Sequence, residues 1–197
     1  MKYAFPTITH IDQVLAAVKG RDEFKVANKG DYLVVNYFVN FADTFPEVKG
    51  ENALLMALRR ECRGIIFCAN TGKILRRPLH KFFNLGERDE TQVNKLDFNQ
   101  SHLVMTKRDG SMIAPFITEN RIRFGTKMGV TDVSGPVEDF VQTNTKFLNL
   151  AEHCIKKGLT PIFEWTGPAQ RIVIAYPENT LTLIAIRHMV TGEYLSY

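Results

Sequence analysis

Residues 112–126 read MIAPFITENRIRFGT. Met112–Thr118 and Arg121–Thr126 are rich in β-branched and aromatic residues, the composition of strands. The short polar step between them, Thr118-Glu119-Asn120-Arg121, predicts a hairpin turn and therefore antiparallel pairing. Outward from this hairpin the same composition recurs at Tyr32–Val39, Gly64–Cys68, Leu103–Lys107, Thr160–Trp165, Arg171–Tyr176 and Leu181–Arg187. His188–Glu193, containing Thr191-Gly192, predicts a further turn. Helices are fewer. Thr9–Gly20 carries Ile11, Val14, Leu15 and Val18 at i, i+3, i+4 and i+7. Thr9 with Asp12 suits a capping box, and Gly20 suits the position after the last turn. A second helix ends at Gly158, with Phe147, Leu148, Ala151, Cys154 and Ile155 on one face and Lys156-Lys157 in the last turn, where cations suit the macrodipole. Two helices and about eight strands without βαβ alternation predict an α+β domain on mostly antiparallel sheets, and disfavour Rossmann and TIM-barrel architectures.

The 197 residues, 45% hydrophobic and 23% charged, have no repeat, low-complexity tract or linker, so residues 1–197 read as one continuous domain. Fourteen Phe argue against disorder. No apolar run approaches the roughly 18 residues of a membrane span, and MKYAFPTITHIDQ holds no apolar stretch of signal-peptide length. A cytoplasmic protein is expected, with secreted and membrane readings excluded. Lys and Arg number 25 against 21 Asp and Glu, a net +4. That mild excess is compatible with a polyanionic substrate without establishing one. Cys62, Cys68 and Cys154 form no Cys-x-x-Cys pair, so buried thiols in a reducing compartment are the expectation. The His residues form no His-x-x-x-His pair, which argues against a zincin-type site.

Thr71-Gly72-Lys73 looks like the end of a Walker A loop, but Phe67 stands where its first glycine belongs, and no Gly-x-Gly-x-x-Gly exists. The stretch that stands out is Met105-Thr106-Lys107-Arg108-Asp109-Gly110-Ser111. A predicted strand delivers Lys107 and breaks at Asp109-Gly110. Asp-Gly with solvated basic neighbours is an ordinary turn; the same residues also suit a nucleophilic lysine at a strand end, with glycine permitting close approach of a phosphate. Such an amine must be neutral to attack, a state that nearby cations and partial burial favour. Three other segments bear on the choice. Glu61-Cys62-Arg63-Gly64 precedes a strand that reads as fully buried. Pro78-Leu79-His80-Lys81-Phe82-Phe83 sets a lysine beside two aromatics, one of which could stack on a base. Phe163-Glu164-Trp165 places a carboxylate between aromatics. Each also has a purely structural reading, as a surface ion pair, core aromatics or a strand-edge acid.

Taken together, these segments resemble a known family. Lys107-Arg108-Asp109-Gly110 is similar to the Lys-x-Asp-Gly nucleophile motif of covalent nucleotidyltransferases. ECRGIIF, RPLHKFFNLGE, TKRDGS, FEWTGPAQRIVIAY and TGEYLSY, in this order, resemble the RNA ligase 1 family of T-even phages over Tyr32 to Tyr197. The resemblance implies a nucleotidyltransferase-type adenylyltransferase domain. It further implies ATP-dependent joining of RNA ends, in tRNA repair or another RNA repair, through a lysyl-AMP, with Mg²⁺ as counter-ion for the phosphates. It casts Lys107 as nucleophile and Asp109 and Gly110 as the rest of its motif, Asp109 only as an orienting group. Tyr37, Arg63, Lys81, Phe83 and Glu164 are cast as ATP contacts, Glu164 at a ribose hydroxyl or in the metal shell. Lys127, in Phe124-Gly125-Thr126-Lys127, is cast as a second lysine that stabilises triphosphate and helps lower the Lys107 pKa.

The family continues with a glutamate motif for metal and a Lys-x-Lys motif for the α-phosphate, and then a C-terminal domain that confers tRNA preference. The chain reaches Tyr197 without them, so it reads as the N-terminal part of a longer ligase whose self-adenylylation is weak or absent. The alternatives are a DNA ligase or capping-type nucleotidyltransferase, against which KFFN and FEWTGPAQRIVIAY argue, and a non-catalytic nucleotide- or RNA-binding module.

Overall fold

A computed structural model describes residues 4–196; residues 1–3 and Tyr197, the last residue of the TGEYLSY segment, lie outside it. Two four-stranded antiparallel sheets form the centre of the fold. The first runs in the order β1 (Phe24–Asn28), β2 (Tyr32–Tyr37), β3 (Arg63–Cys68), β4 (Ile74–Arg76). The second contains β5 (Ser111–Thr118), β6 (Arg121–Gly125), β7 (Leu159–Thr166) and β8 (Thr180–His188), in the order β6-β5-β7-β8. The α-helices are α1 (Ile11–Val18), α2 (Ala53–Glu61), α3 (Ser134–Thr143) and α4 (Lys146–Lys156). The expected α+β class stands.

The hairpin from which the sequence was read forms as expected. Glu119 and Asn120 take φ of 51° and 57°, the left-handed pair that matches strand twist, and Thr118 faces Arg121 across it. Pro115 is tolerated in β5 because β5 pairs with β7 only over Ser111–Ile113, so the missing N–H falls where β5 has left that neighbour.

Strand alternation distributes the core. On β2 and β3, Val35, Ile65 and Phe67 face one way and pack with Ile11, Val14, Val18 and Leu58 of α1 and α2. Val34 and Ile66 face the other way and meet Phe116 of β5, joining the two sheets. Ile113, Phe163 and Trp165 in turn pack under Val137, Val141 and Ala151 of α3 and α4. Charge also joins the sheets. Arg76, fully buried at the end of β4, donates to the carbonyls of Gly64, Ala114, Gly125 and Thr126. Glu61 is fully buried with Arg77 and Arg187, the latter pair bidentate at 2.7 and 2.8 Å.

Several expectations are corrected. Leu103–Lys107 is not a strand; it is exposed and irregular, Val104 being 85% exposed, and among the described residues no ladder takes it up. Arg171–Tyr176 is not a strand either, because the amides of Val173 and Ile174 donate to the Asp109 carboxylate instead of to a neighbouring strand. The cap of α1 is His10, whose ring accepts from the Asp12 amide at 3.3 Å. Gln13, with its longer side chain, reaches back to the His10 amide in the role expected of Asp12. Cys62 and Cys154 are buried thiols, but Cys68 is partly exposed.

Candidate functional site

The sequence-predicted residues converge where the start of β3, the end of β2, the turn after β6, the segment after β4 and the paired strands β5 and β7 meet. Gly64 makes the first approach. Its φ is +87°, and a Cβ there would lie 2.6 Å from the carbonyl oxygen of Lys127, so only glycine lets β3 touch the turn carrying that lysine. Arg63 and Lys127 are thereby brought side by side. Burial lowers the Lys127 pKa and the Arg63 charge adds to the effect. The Lys127 ammonium stands 5.6 Å from the ring centre of Tyr37, which packs edge-on against buried Phe45.

Arg63 stacks on Phe82 at 5.0 Å, and its Nη1 is buried without a hydrogen-bond partner. Opposite it in the β2–β3 register, Asn36 leaves its Oδ1 equally unpartnered. Buried polar atoms are normally satisfied, so an orphan donor and an orphan acceptor on facing residues mark a place completed by something outside the chain.

The segment after β4 brings further cations. The Lys81 amide donates to the Arg60 carbonyl at 2.7 Å, and its ammonium to the Phe82 carbonyl at 2.9 Å. Burial lowers the Lys81 pKa; Arg63, Arg88 and Arg60 add to this and Glu87 opposes it. Phe83 is packed rather than open. Lys81, Arg88 and Arg60 lie over its ring at 4.3, 5.0 and 5.2 Å, and Phe45 meets it edge-on.

On the β5–β7 side, Glu164 accepts the Gly110 amide at 3.1 Å. A Cβ on Gly110 would fall 2.0 Å from the Trp165 carbonyl, so what approaches this glycine is the backbone of β7, where a phosphate was expected. Burial raises the Glu164 pKa; the Gly110 amide, Lys107 and Arg63 oppose it, and Asp109 adds to it. Asp109 accepts from Val173 and Ile174 at 2.6 and 2.7 Å, and its own amide donates to the Tyr176 hydroxyl. The amides of Ile174 and Val173 hold its carboxyl below the usual range. It therefore ties the Lys107–Gly110 turn to the 171–176 segment. Lys107 is exposed, its charge acting on Glu164 and Asp109, whereas partial burial was expected.

The arrangement offers an exposed lysine, Lys107, three neighbouring cations and one half-buried carboxylate. Triphosphate oxygens fit the Arg63, Lys81 and Lys127 cluster and its unpartnered Nη1. For a divalent cation the nearby carboxylates are Glu164, one oxygen of which accepts the Gly110 amide, and Asp109, one oxygen of which accepts two backbone amides; a magnesium ion held largely by phosphate oxygens and water needs no more. A family model described as RNA ligase matches residues 61–197, the span that holds almost all of this site. The chain belongs to this RNA ligase family. It is 35% identical over 189 residues to a putative RNA ligase of Thermovibrio ammonificans, covering 94% of this chain and 46% of that protein. It is 27% identical to RNA ligase 1 of Bacteriophage TS2126, covering 69% and 36% of the two chains. A putative bifunctional polynucleotide kinase/RNA ligase of Autographa californica nuclear polyhedrosis virus is 25% identical, over 94% and 29%. The chain thus spans less than half the length of each of these relatives.

The sequence does not single out Arg60 and Arg88 as members of the cation group, nor Asn36. They come from α2, from the loop after Lys81 and from β2, and nothing in their spacing signals that they meet. The β2–β3 pairing supplies the missing signal for Asn36, since it sits across from Arg63.

Proposed function

We propose that this chain carries the ATP-reacting half of an RNA end-joining reaction, with Lys107 as the nucleophile. The observation that carries the reading is geometric: Glu164 holds the Gly110 amide of the Lys107 motif at 3.1 Å, and the close approach at Gly64 sets Arg63 beside Lys127, the Lys107 and Arg63 charges both bearing on Glu164. In this reading the neutral Lys107 amine attacks the α-phosphorus of ATP. The P–O bond to the β-phosphate breaks, pyrophosphate leaves, and AMP remains on Nζ. Arg63 and Lys81, both partly buried, and the exposed Lys127 balance the phosphate charge, partly buried cations doing so more strongly than exposed ones. Asp109 orients the turn that presents Lys107, and Glu164 accepts from a ribose hydroxyl or a metal-bound water. Magnesium, when bound, supplies charge neutralisation of the triphosphate. AMP then passes to an RNA 5′-phosphate, and the 3′-hydroxyl of a second end displaces it; tRNA ends are among the substrates this reading admits.

The test is to incubate the chain with ATP and Mg²⁺ and weigh the intact protein. Beside it runs a chimera that continues the chain with the corresponding C-terminal part of the Thermovibrio ammonificans relative. The chimera gains one AMP, the 197-residue chain gains less, and Lys107→Ala abolishes both. An adduct that survives Lys107→Ala overturns the nucleophile; no adduct on a folded chimera overturns the ligase reading.

A further inference from the structure

Phe82 and Phe83 are neighbours in sequence and opposites in placement. Phe83 is enclosed by Phe45 and the three cations over its ring. Phe82 is 49% exposed, one face backed by the Arg63 guanidinium at 5.0 Å and its edge near His80. An isolated exposed phenylalanine is ordinary. One clamped from behind by a guanidinium, beside a group of partly buried cations, has the makings of a single-strand site, where an aromatic or guanidinium plane takes a base and neighbouring cations take its phosphate. We infer that Phe82 is the stacking platform for a base at a single-stranded RNA end, backed by Arg63 and with Lys81 beside it for the phosphate. This rests on the ligase reading for the choice of nucleic acid.

Charge complementarity selects the occupant. The ring adjoins cations: Lys81 donates to the carbonyl of Phe82 itself, and Arg63 lies over its face. A polyanion carrying flat bases satisfies both features, and an apolar peptide satisfies only the ring. Stacking on a ring is tolerant of sequence, so the platform serves any base.

The experiment compares wild type, Phe82→Ala and Phe82→Trp of the 197-residue chain. Binding of a fluorescent 5′-phosphorylated oligoadenylate is followed by anisotropy, and ATP binding by thermal shift. Phe82→Ala weakens oligoadenylate binding about tenfold, the loss of one stacked base, with a smaller change for ATP. Phe82→Trp restores RNA binding, and its indole emission is quenched by the RNA over a constant background from Trp165, which is 1% exposed. Unchanged RNA binding in Phe82→Ala overturns the platform. An equal loss for ATP also overturns it, by moving the ring into the ATP site. RNA binding that depends on Phe82 in a chain whose chimera forms no AMP adduct sinks the ligase reading and leaves the platform standing.

Discussion

Two groups of arginine lie close together around α2 and β3, and they are built on opposite principles. At the sheet junction, Arg77 and Arg187 have every guanidinium nitrogen engaged, by Glu61 and by the carbonyls of Pro6, Pro78, Met189, Val190 and Gly192. Two residues away from Glu61, Arg63 leans on an aromatic ring and leaves Nη1 without a partner. A cation whose every nitrogen is bonded serves the fold, even where, like Arg187, it also lies over aromatic rings. A cation with a buried nitrogen left unbonded still has a donor to offer a ligand.

The largest test of this contrast is Glu61→Gln. Removing the charge takes from two buried guanidiniums the carboxylate they share, which costs about 3–5 kcal/mol and should show as a large drop in the denaturant midpoint. A small drop would mean that the carbonyls alone satisfy the arginines, and the junction would lose its claim to be structural through charge.

Next comes Gly64→Ala. The added methyl meets the Lys127 carbonyl at 2.6 Å in a left-handed backbone, so the strand or the turn must move. The cost in stability is about 1–3 kcal/mol. Because the movement separates Arg63 from Lys127, ATP affinity should fall as well. A variant that loses stability but keeps its ATP affinity would show that the two cations need not be neighbours.

His80 belongs to the junction and gives the contrast a pH signature. Burial first, and then the Arg187 charge, push its pKa down to about 4 from an ordinary value near 6.5. The folded state therefore keeps the ring neutral while the unfolded chain takes a proton. Its stabilising effect is complete above the unfolded value and is lost as pH falls toward the folded one. Between about pH 7 and pH 5 the loss is about 2 kcal/mol, and His80→Asn should flatten that part of the stability profile. An unchanged slope would place the acid sensitivity elsewhere.

The same contrast explains what the sequence could disclose. The hairpin, β3, β7 and α4 were legible because their residues follow one local period and their turns carry local chemistry. α2 escaped because Arg60 and Glu61 are buried, so its inward face is not apolar. α3 carries Gly135 and Pro136, both poor helix formers, although proline is tolerated in a first turn. Leu103–Lys107 and Arg171–Tyr176 have strand composition without a ladder, since pairing depends on neighbours that composition does not name. At the site, motif residues were recognisable by resemblance, but which of two adjacent phenylalanines stays open was not. The cations that enclose Phe83 come from α2 and from the segment after β4, and only the fold brings them together.

The smallest effect on stability is expected where the effect on ligand is large, at Arg63→Met. The substitution removes a charge, retains an apolar stem against Phe82 and eliminates one orphan donor, so gain and loss nearly cancel in the unliganded chain, within about 0.5–1 kcal/mol. It also relieves Lys127 and Lys81 of a like charge, so the pKa of each rises toward the ordinary lysine value. ATP binding should fall about tenfold or more, since a charge-assisted contact to phosphate is lost. Equilibrium unfolding and ATP titration on the same preparation separate the two quantities. Should Arg63→Met unfold the chain as Glu61→Gln does, Arg63 would join the junction as a structural cation, and the distinction between spent and unspent donors would not hold in this protein.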